Sequence, residues 1–379
     1  MTLLWLCGPP GVGKTSVAWA IFTSLSRSGV RAAVLDTDQI GLCLPTPALA
    51  GDHGVKARNL AGMVPNYRDA EVQLLIVSGM LESADAVREY TRLLPDVEVT
   101  LCLLTAEEDE LRKRFLGRGR LTHLVDAAVQ VSAELERTSF PDLRVETDGR
   151  SVAELAGLIL DTVTVPARDF VSTASVQSPS GHAARAGTVP TLWLTGPRGV
   201  GKSAVGWQVF TTIAGAGSTV AFADLDQLGF VRPEPAGDPG NHRTKARNLA
   251  AIWPTFRTEG AEYLVLVGDV GEHGDLARYV RAMPDANLTL CRLRAGPDDL
   301  TARILARGRG AGPTLPGDEL AGRPQDELRR YAEEVWRAAE QAGTSAPADL
   351  VVDTDGKTVE EIATPLLEGL TSASAVSSP

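Results

Sequence analysis

The sequence predicts an α/β protein of two tandem domains, each a five-stranded parallel sheet flanked by helices. Three observations carry that prediction. The chain has 379 residues, enough for two domains that each bury their own core. Its second half repeats its first: LLWLCGPPGVGKTSVAWAIFTSL (3–25) aligns with TLWLTGPRGVGKSAVGWQVFTTI (191–213), so that Lys202 lies 188 residues after Lys14. Within each copy, short aliphatic runs alternate with helix-like segments, as when parallel strands are joined by crossover helices.

Taken in order, copy one reads as strands near 2–7, 31–36, 72–78, 97–104 and 143–147. Runs such as AAVLD and VQLLIVS are almost unbroken aliphatics, as expected of strands buried on both faces. A helix is predicted over 14–27, where Val17, Ile21, Phe22 and Leu25 recur at helical spacing before Gly29 stops it. Thr105 and Glu108 form a candidate capping box for the helix that carries Arg114. Ser151 and Glu154 form another for the last helix, and Thr358 and Glu361 repeat it in copy two. The repeat continues through KARNLA (56–61 and 245–250), VTLCLL/LTLCRL (99–104 and 288–293), RFLGRGR/RILARGR (114–120 and 303–309) and the TDG turns ending at Gly149 and Gly356. At well over a hundred residues per copy, each repeat is a whole domain. The expected organisation is a domain over 1–165, a small polar linker over 166–189, a domain over 190–370 and a disordered tail over 371–379. The two halves are expected to imitate a homodimer.

Composition narrows the function. A chain 44% hydrophobic and 22% charged is an ordinary globular one, and its net charge of −11 opposes nucleic acid or anionic membrane as a partner. No apolar run approaches the roughly 20 residues that span a bilayer. Cys7, Cys43, Cys102 and Cys291 form no C-x-x-C pair, and Cys102 and Cys291 hold equivalent positions in apolar strands, which predicts buried thiols. The five His show no metal-ligand spacing. A cytoplasmic protein fits all of this.

Residues 8–15 (GPPGVGKT) and 196–203 (GPRGVGKS) each fit G-x-x-x-x-G-K-[ST], and each stands between a predicted strand and a predicted helix. In this P-loop pattern, turns at Gly8, Gly11 and Gly13, and at Gly196, Gly199 and Gly201, aim successive N–H groups at nucleotide phosphates. Lys14 and Lys202 reach the outer phosphates, Thr15 and Ser203 ligate Mg²⁺, and Ser16 adds to the first cradle. No guanine-reading N-K-x-D motif accompanies them, which favours ATP. Each copy also ends its second strand with an acid–x–acid pair, Asp36/Asp38 and Asp224/Asp226. Phosphoryl transfer to a hydroxyl needs an acceptor for the hydroxyl proton and an anchor for the metal, and two carboxylates divide those tasks. A strand-end Asp that merely caps a turn is the simpler reading for one residue; a pair kept in both copies speaks for chemistry.

Five strands with the loop after the first resemble the nucleoside-monophosphate-kinase branch of P-loop proteins. LDTDQI followed by KARNLA resembles the LDGD and N-I-R-R arrangement of adenylylsulfate kinases, and the acid pair is similar to that of shikimate kinases and the chloramphenicol-phosphotransferase group. The resemblance implies an ATP- and Mg²⁺-dependent transfer to a hydroxyl of a small polar metabolite or antibiotic. It implies that Asp38 and Asp226 face the acceptor while Asp36 and Asp224 lie nearer the metal. Arg58, Asn59, Arg247 and Asn248 would bind the substrate. Arg114, Arg118, Arg303 and Arg307 would serve as lid arginines, with Arg120 and Arg309 completing each R-x-x-x-R-x-R run. The second copy departs from the first at Arg198 in place of Pro10 and in a longer lid. A second reading stays open: an ATP-binding or ATP-hydrolysing regulatory or assembly module without a small-molecule acceptor, or one catalytic half beside one regulatory half.

Overall fold

The computed structural model describes residues 1–46, 51–117, 122–166, 188–270, 273–312, 317, 319–343 and 348–376. The first repeat runs β1 (Thr2–Cys7), α1 (Lys14–Arg27), β2 (Ala32–Asp36), β3 (Cys43–Leu44), α2 (Gly51–Asp69), β4 (Leu74–Ser78), α3 (Ala84–Thr91), β5 (Glu98–Thr105), α4 (Glu108–Gly117), α5 (Val125–Glu136), β6 (Leu143–Glu146) and α6 (Val152–Leu160). The second runs β7 (Val189–Thr195), α7 (Lys202–Gly215), β8 (Val220–Asp224), β9 (Phe230–Arg232), α8 (His242–Thr258), β10 (Tyr263–Val267), α9 (His273–Ala282), β11 (Ala286–Arg294), α10 (Pro297–Gly308), α11 (Gln325–Gly343), β12 (Leu350–Asp353) and α12 (Val359–Val376). The five strands expected of copy one are thus present, with ends shifted by a residue or two.

Two compact units form, and they do not follow the contiguous repeats. The first holds β1, β2, β4, β5 and β6 with their helices and takes in Gly229–Thr244; the second holds the rest of the second repeat and takes in β3. Each sheet therefore has six strands rather than five, in the orders β6-β5-β1-β4-β2-β9 and β12-β11-β7-β10-β8-β3. The first five of each are mutually parallel. The sixth is antiparallel and comes from the other repeat. In the first unit β9 pairs with β2 at Val231↔Ala33; in the second, β3 pairs with β8 at Cys43↔Ala221, the equivalent register. A bare β2 or β8 edge would present unpaired N–H and C=O groups, and the added strand covers them. Beyond the ladders, the Arg31 guanidinium donates to Pro233 O at 3.0 Å and Phe222 N–H donates to Leu42 O at 2.9 Å.

The buried strand faces explain the aliphatic runs. On one face of the first sheet, Val17, Ile21, Phe22 and Leu25 of α1 pack with Leu4, Leu6, Val34 and Ile76, and α6 adds Leu155 and Ile159. Each such side chain contributes about 1.5–3 kcal/mol by leaving water. On the other face Trp5 meets Tyr90 edge-on at 4.6 Å and donates its indole N–H to Gly79 O. Trp193, Tyr279 and Gly268 repeat this in the second unit. All four cysteines are buried free thiols, as expected.

Three local expectations need correction or comment. The Ser151–Glu154 and Thr358–Glu361 capping boxes form. The Thr105–Glu108 box does not, because Thr105 remains the last residue of β5 and the first helical turn is set by Leu111 N–H donating to Glu107 O. Helix α12 runs on to Val376, into the stretch expected as a tail from 371, since its Leu, Ala, Ser and Thr residues tolerate a helix and Thr371 Oγ1 donates back to Leu367 O. Among the described residues no helix is long and apolar enough to cross a membrane.

Candidate functional site

In each unit the carboxyl ends of the central strands gather the residues that the sequence singles out, as open parallel sheets do where strand order reverses. The loop between β1 and α1 turns on Gly8, Gly11 and Gly13 with φ of 142°, 97° and 106°; Gly196, Gly199 and Gly201 follow with 135°, 88° and 110°. At Gly8 the absence of a side chain is obligatory: a Cβ would stand 2.5 Å from the Leu104 carbonyl oxygen. The loop lysines are folded onto their own turns. Lys14 Nζ donates to Gly8 O at 2.9 Å and Pro9 O at 3.0 Å, and Lys202 Nζ donates to Gly196 O at 2.7 Å and Pro197 O at 3.1 Å. Burial lowers the Lys202 ammonium below its ordinary value, against the pull of Asp226, Asp224 and Asp269. Ser16 is exposed on the first turn of α1.

The loop hydroxyls meet the first acid of each pair. Thr15 Oγ1 donates to Asp36 Oδ2 at 3.2 Å, and Ser203 Oγ donates to Asp224 Oδ2 at 3.3 Å. The other oxygen of each acid accepts from the backbone two residues on, Asp38 N–H and Asp226 N–H, both at 3.0 Å. This caps the short turn after the strand, so the turn-capping role and the acid pair coexist. Burial pushes the Asp36 carboxyl up to about 6, and Asp38 alongside adds to the shift; Asp224 rises to about 6 for the same reasons, with Asp226 as its neighbour.

That shift has a consequence for stability. A carboxyl raised in the folded state holds its proton more readily folded than unfolded between the ordinary value of 3.8 and about 6. Its contribution is favourable below that window and is lost as pH rises through it. Asp224→Asn, which keeps the shape and removes the charge, is expected to raise the melting temperature at pH 7.5 by several degrees, the equivalent of roughly 2–3 kcal/mol at most. At pH 4 the gain should vanish. Thermal melts at both pH values decide it, and an equal change at both would rule it out.

The second acids sit at the open side, with side chains 69% exposed for Asp38 and 51% for Asp226. Each is gripped by a lysine that the sequence reading passed over. Lys56 Nζ lies 2.8 Å from Asp38 Oδ1, and Lys245 Nζ lies 2.8 Å from Asp226 Oδ1. Packed surroundings work against the charged form of Asp226, but the Lys245 ammonium outweighs them and holds it below the usual carboxylate range. Both lysines are in KARNLA, identical in the two copies, and that identity was the available signal.

Within the same motif the other expectations divide. Arg58 and Arg247 are exposed on α2 and α8. Asn59 and Asn248 are fully buried, and their side-chain amides donate to Ile40 O and Leu228 O, both at 2.6 Å. They hold the turn that follows the acid pair, and in this structure both residues are 0% exposed where a substrate-binding role was expected of them. Arg114 is a brace: it donates to Val12 O, to Thr147 Oγ1 at 2.7 Å and to Thr147 O, and pairs with Glu110 at 2.9 Å. Arg303 repeats this with Val200 O at 2.9 Å, Thr354 Oγ1 at 2.8 Å and Thr354 O at 2.7 Å. The phosphate loop and the TDG turn are thereby tied together. Arg307 donates to Ala311 O at 3.4 Å, and Arg309 is exposed. Arg118 and Arg120 lie outside the described residues.

The halves differ beside the loop hydroxyl. Ser78 Oγ stands 3.3 Å from Thr15 Oγ1, whereas the equivalent strand position in the second unit is Val267. Only the second unit has an acid just beyond, Asp269, whose side chain accepts from Val270 N–H at 2.8 Å. Among the described residues no group of three or more His, Cys, Asp or Glu is placed to hold a metal ion.

No protein-family model and no curated protein matches the chain. Solved structures similar to it include an APS kinase of Mycobacterium tuberculosis in complex with AMPPNP and APS, 23% identical over 42% of this chain and 95% of its own, with a TM-score of 0.33. Another is the tunicamycin resistance protein of Deinococcus radiodurans, 20% identical over 44% of this chain and 98% of its own, TM-score 0.32. A shikimate kinase of Acinetobacter baumannii in complex with shikimate is 21% identical over 43% of this chain and 92% of its own, TM-score 0.30.

Proposed function

We propose that the protein is an ATP- and Mg²⁺-dependent small-molecule kinase that moves a terminal phosphoryl group to a hydroxyl of a small polar metabolite or antibiotic. One observation carries this reading. In both units the hydroxyl after the loop lysine stands 3.2–3.3 Å from the first acid of a pair whose second acid faces the open side. A GTPase-like switch needs no such second acid; a hydroxyl acceptor does.

The residues fit the groups proposed. Gly8 lets the turn after β1 lie against Leu104 O, where a Cβ would stand 2.5 Å away, and the backbone N–H groups of that turn are the phosphate cradle of this reading. Lys14 and Lys202 exchange their contacts with loop carbonyls for phosphate oxygens. Thr15 with Asp36, and Ser203 with Asp224, present the hard oxygen donors that Mg²⁺ prefers, and Mg²⁺ needs few of them because it keeps waters and phosphate oxygens. Bound there, the ion supplies neutralisation of charge on the transferred group. Asp38 or Asp226 takes the proton that the hydroxyl loses as its oxygen bonds to the terminal phosphorus. The nucleoside diphosphate leaves with the electron pair of the broken P–O bond. In this reading the exposed Arg58 and Arg247 meet a polar part of the acceptor, and Arg307 is the lid arginine that closes over the phosphates.

The test incubates the full chain with Mg-ATP and pooled hydroxyl compounds and searches by mass spectrometry for products heavier by one phosphoryl group. Lys14→Ala and Lys202→Ala variants run in parallel. A product that falls by 100-fold or more in one variant names the substrate and the working unit. ATP hydrolysis at an unchanged rate with every pool, and no product, would overturn the kinase reading in favour of a nucleotide-operated module.

A further inference from the structure

We propose that Lys56 and Lys245 are positioning residues that orient the second acid of each pair as proton acceptor, a role that rests on the kinase reading above. The geometry is the same twice. Lys56 is 10% exposed and delivers its ammonium to one oxygen of Asp38; Lys245, also 10% exposed, does the same to Asp226. In both pairs the lysine takes Oδ1, and Oδ2 is the oxygen assigned to the proton.

The lysine acts with its neighbour three residues on. Lys56 and Asn59 share one face of α2, as Lys245 and Asn248 share one face of α8. Asn59 and Asn248 hold the backbone at Ile40 and Leu228, while the lysines hold the carboxylates two residues earlier. One helix face thus grips the acid turn at two points. Gly41 leaves room for the lysine side chain, because a Cβ there would stand 2.6 Å from Lys56 Cγ. The first acid is committed elsewhere: one oxygen accepts from the loop hydroxyl and the other from the backbone N–H of the second acid.

An exposed aspartate on a short turn samples many rotamers, and a misplaced base loses much of its effect. The lysine removes that freedom. In the transfer, the hydroxyl proton passes to Oδ2 of Asp38 as the new O–P bond forms, while the ammonium stays protonated on Oδ1. The lysine therefore touches neither substrate nor nucleotide.

The experiment uses the full chain with the other unit silenced, so that Lys56 variants are read in a Lys202→Ala background and Lys245 variants in Lys14→Ala. With the acceptor found by the screen, Lys56→Gln is expected to lower kcat about tenfold or more while KM for Mg-ATP stays within about twofold. Lys56→Arg, which can still reach the carboxylate, should recover most of the rate. Added to Asp38→Asn, Lys56→Gln should cost nothing further, because the residue acts only through that acid. Hydrogen exchange supplies a readout independent of turnover: amides 38–40 should exchange faster in Lys56→Gln than in the parent, with β1 and β4 unchanged. Unchanged exchange there overturns the positioning role whether or not the protein is a kinase. Losses that multiply between Lys56→Gln and Asp38→Asn, or kcat and Mg-ATP affinity that fall together, overturn it as well. A parent protein that makes no product fails the kinase reading itself, and this is visible before any lysine variant is compared.

Discussion

Residues 1–165 and 190–370, produced as separate proteins, are each expected to fail to fold stably, whereas the two produced together should fold and co-purify. Alone, the first piece lacks β9, and β2 loses its partners from Ala32 to Val34. It also loses Phe230 against Trp19 at 5.1 Å, the Arg232 guanidinium 5.6 Å over Trp19 and 5.8 Å over Phe22, and Pro233 O against Arg31. A few ladder hydrogen bonds at about 1 kcal/mol each, an aromatic pair at about 0.5–1.5 and the apolar area of Phe230 and Val231 sum to several kcal/mol. That is comparable to the roughly 5–15 kcal/mol that keeps a domain folded. The second piece loses β3 and the residue before it; Leu42 and Leu44 pack on its core, and Leu42 O accepts from Phe222 N–H. Circular dichroism, cooperative melting and size-exclusion chromatography of single and co-produced pieces decide the matter. Two well-folded monomers with separate sharp melts would refute the exchange of strands.

Gly8→Ala is expected to lower nucleotide affinity of the first unit by 100-fold or more and to leave the second unit binding normally. Two costs combine. The φ of 142° is one that L-residues rarely adopt, which costs on the order of 1–3 kcal/mol, and the new Cβ must push away the Leu104 carbonyl at 2.5 Å. That carbonyl is on β5, the strand beside β1, so the adjustment displaces the whole turn. Gly13→Ala is the control, since its Cβ would meet nothing within 4 Å and only the φ of 106° is strained. Calorimetric titration with Mg-ATP should show two sites in the parent and one in Gly8→Ala, with Gly13→Ala between. Equal losses in the two variants would mean that the close approach to β5 is not what makes Gly8 necessary.

Much of the site was legible before any coordinates. The glycine pattern, the acid pairs and the TDG turns all lie close in sequence to the elements they serve, and all fall at strand ends as expected. The roles within KARNLA were not legible. Lys56, Arg58 and Asn59 look alike as polar residues on a helix, and only the direction of each around α2 separates an acid-gripping lysine, an exposed arginine and a buried amide. Arg114 likewise reads as a lid cation, yet its guanidinium reaches Thr147 and Val12, contacts that no local pattern announces.

By itself, the sequence determined the two α/β units, the parallel strands and the paired phosphate loops, because periodicity and turn chemistry act over a few residues and report themselves locally. The partner of each edge strand was decided only by the tertiary structure. GLCLP (41–45) and GFVRP (229–233) are equivalent stretches, and each has an equivalent β2 or β8 edge in either half of the molecule. A duplicated chain offers every edge the same backbone hydrogen bonds from its own repeat or from its twin. Nothing within the strand distinguishes the two pairings, and the pairing adopted is visible only in the assembled sheets.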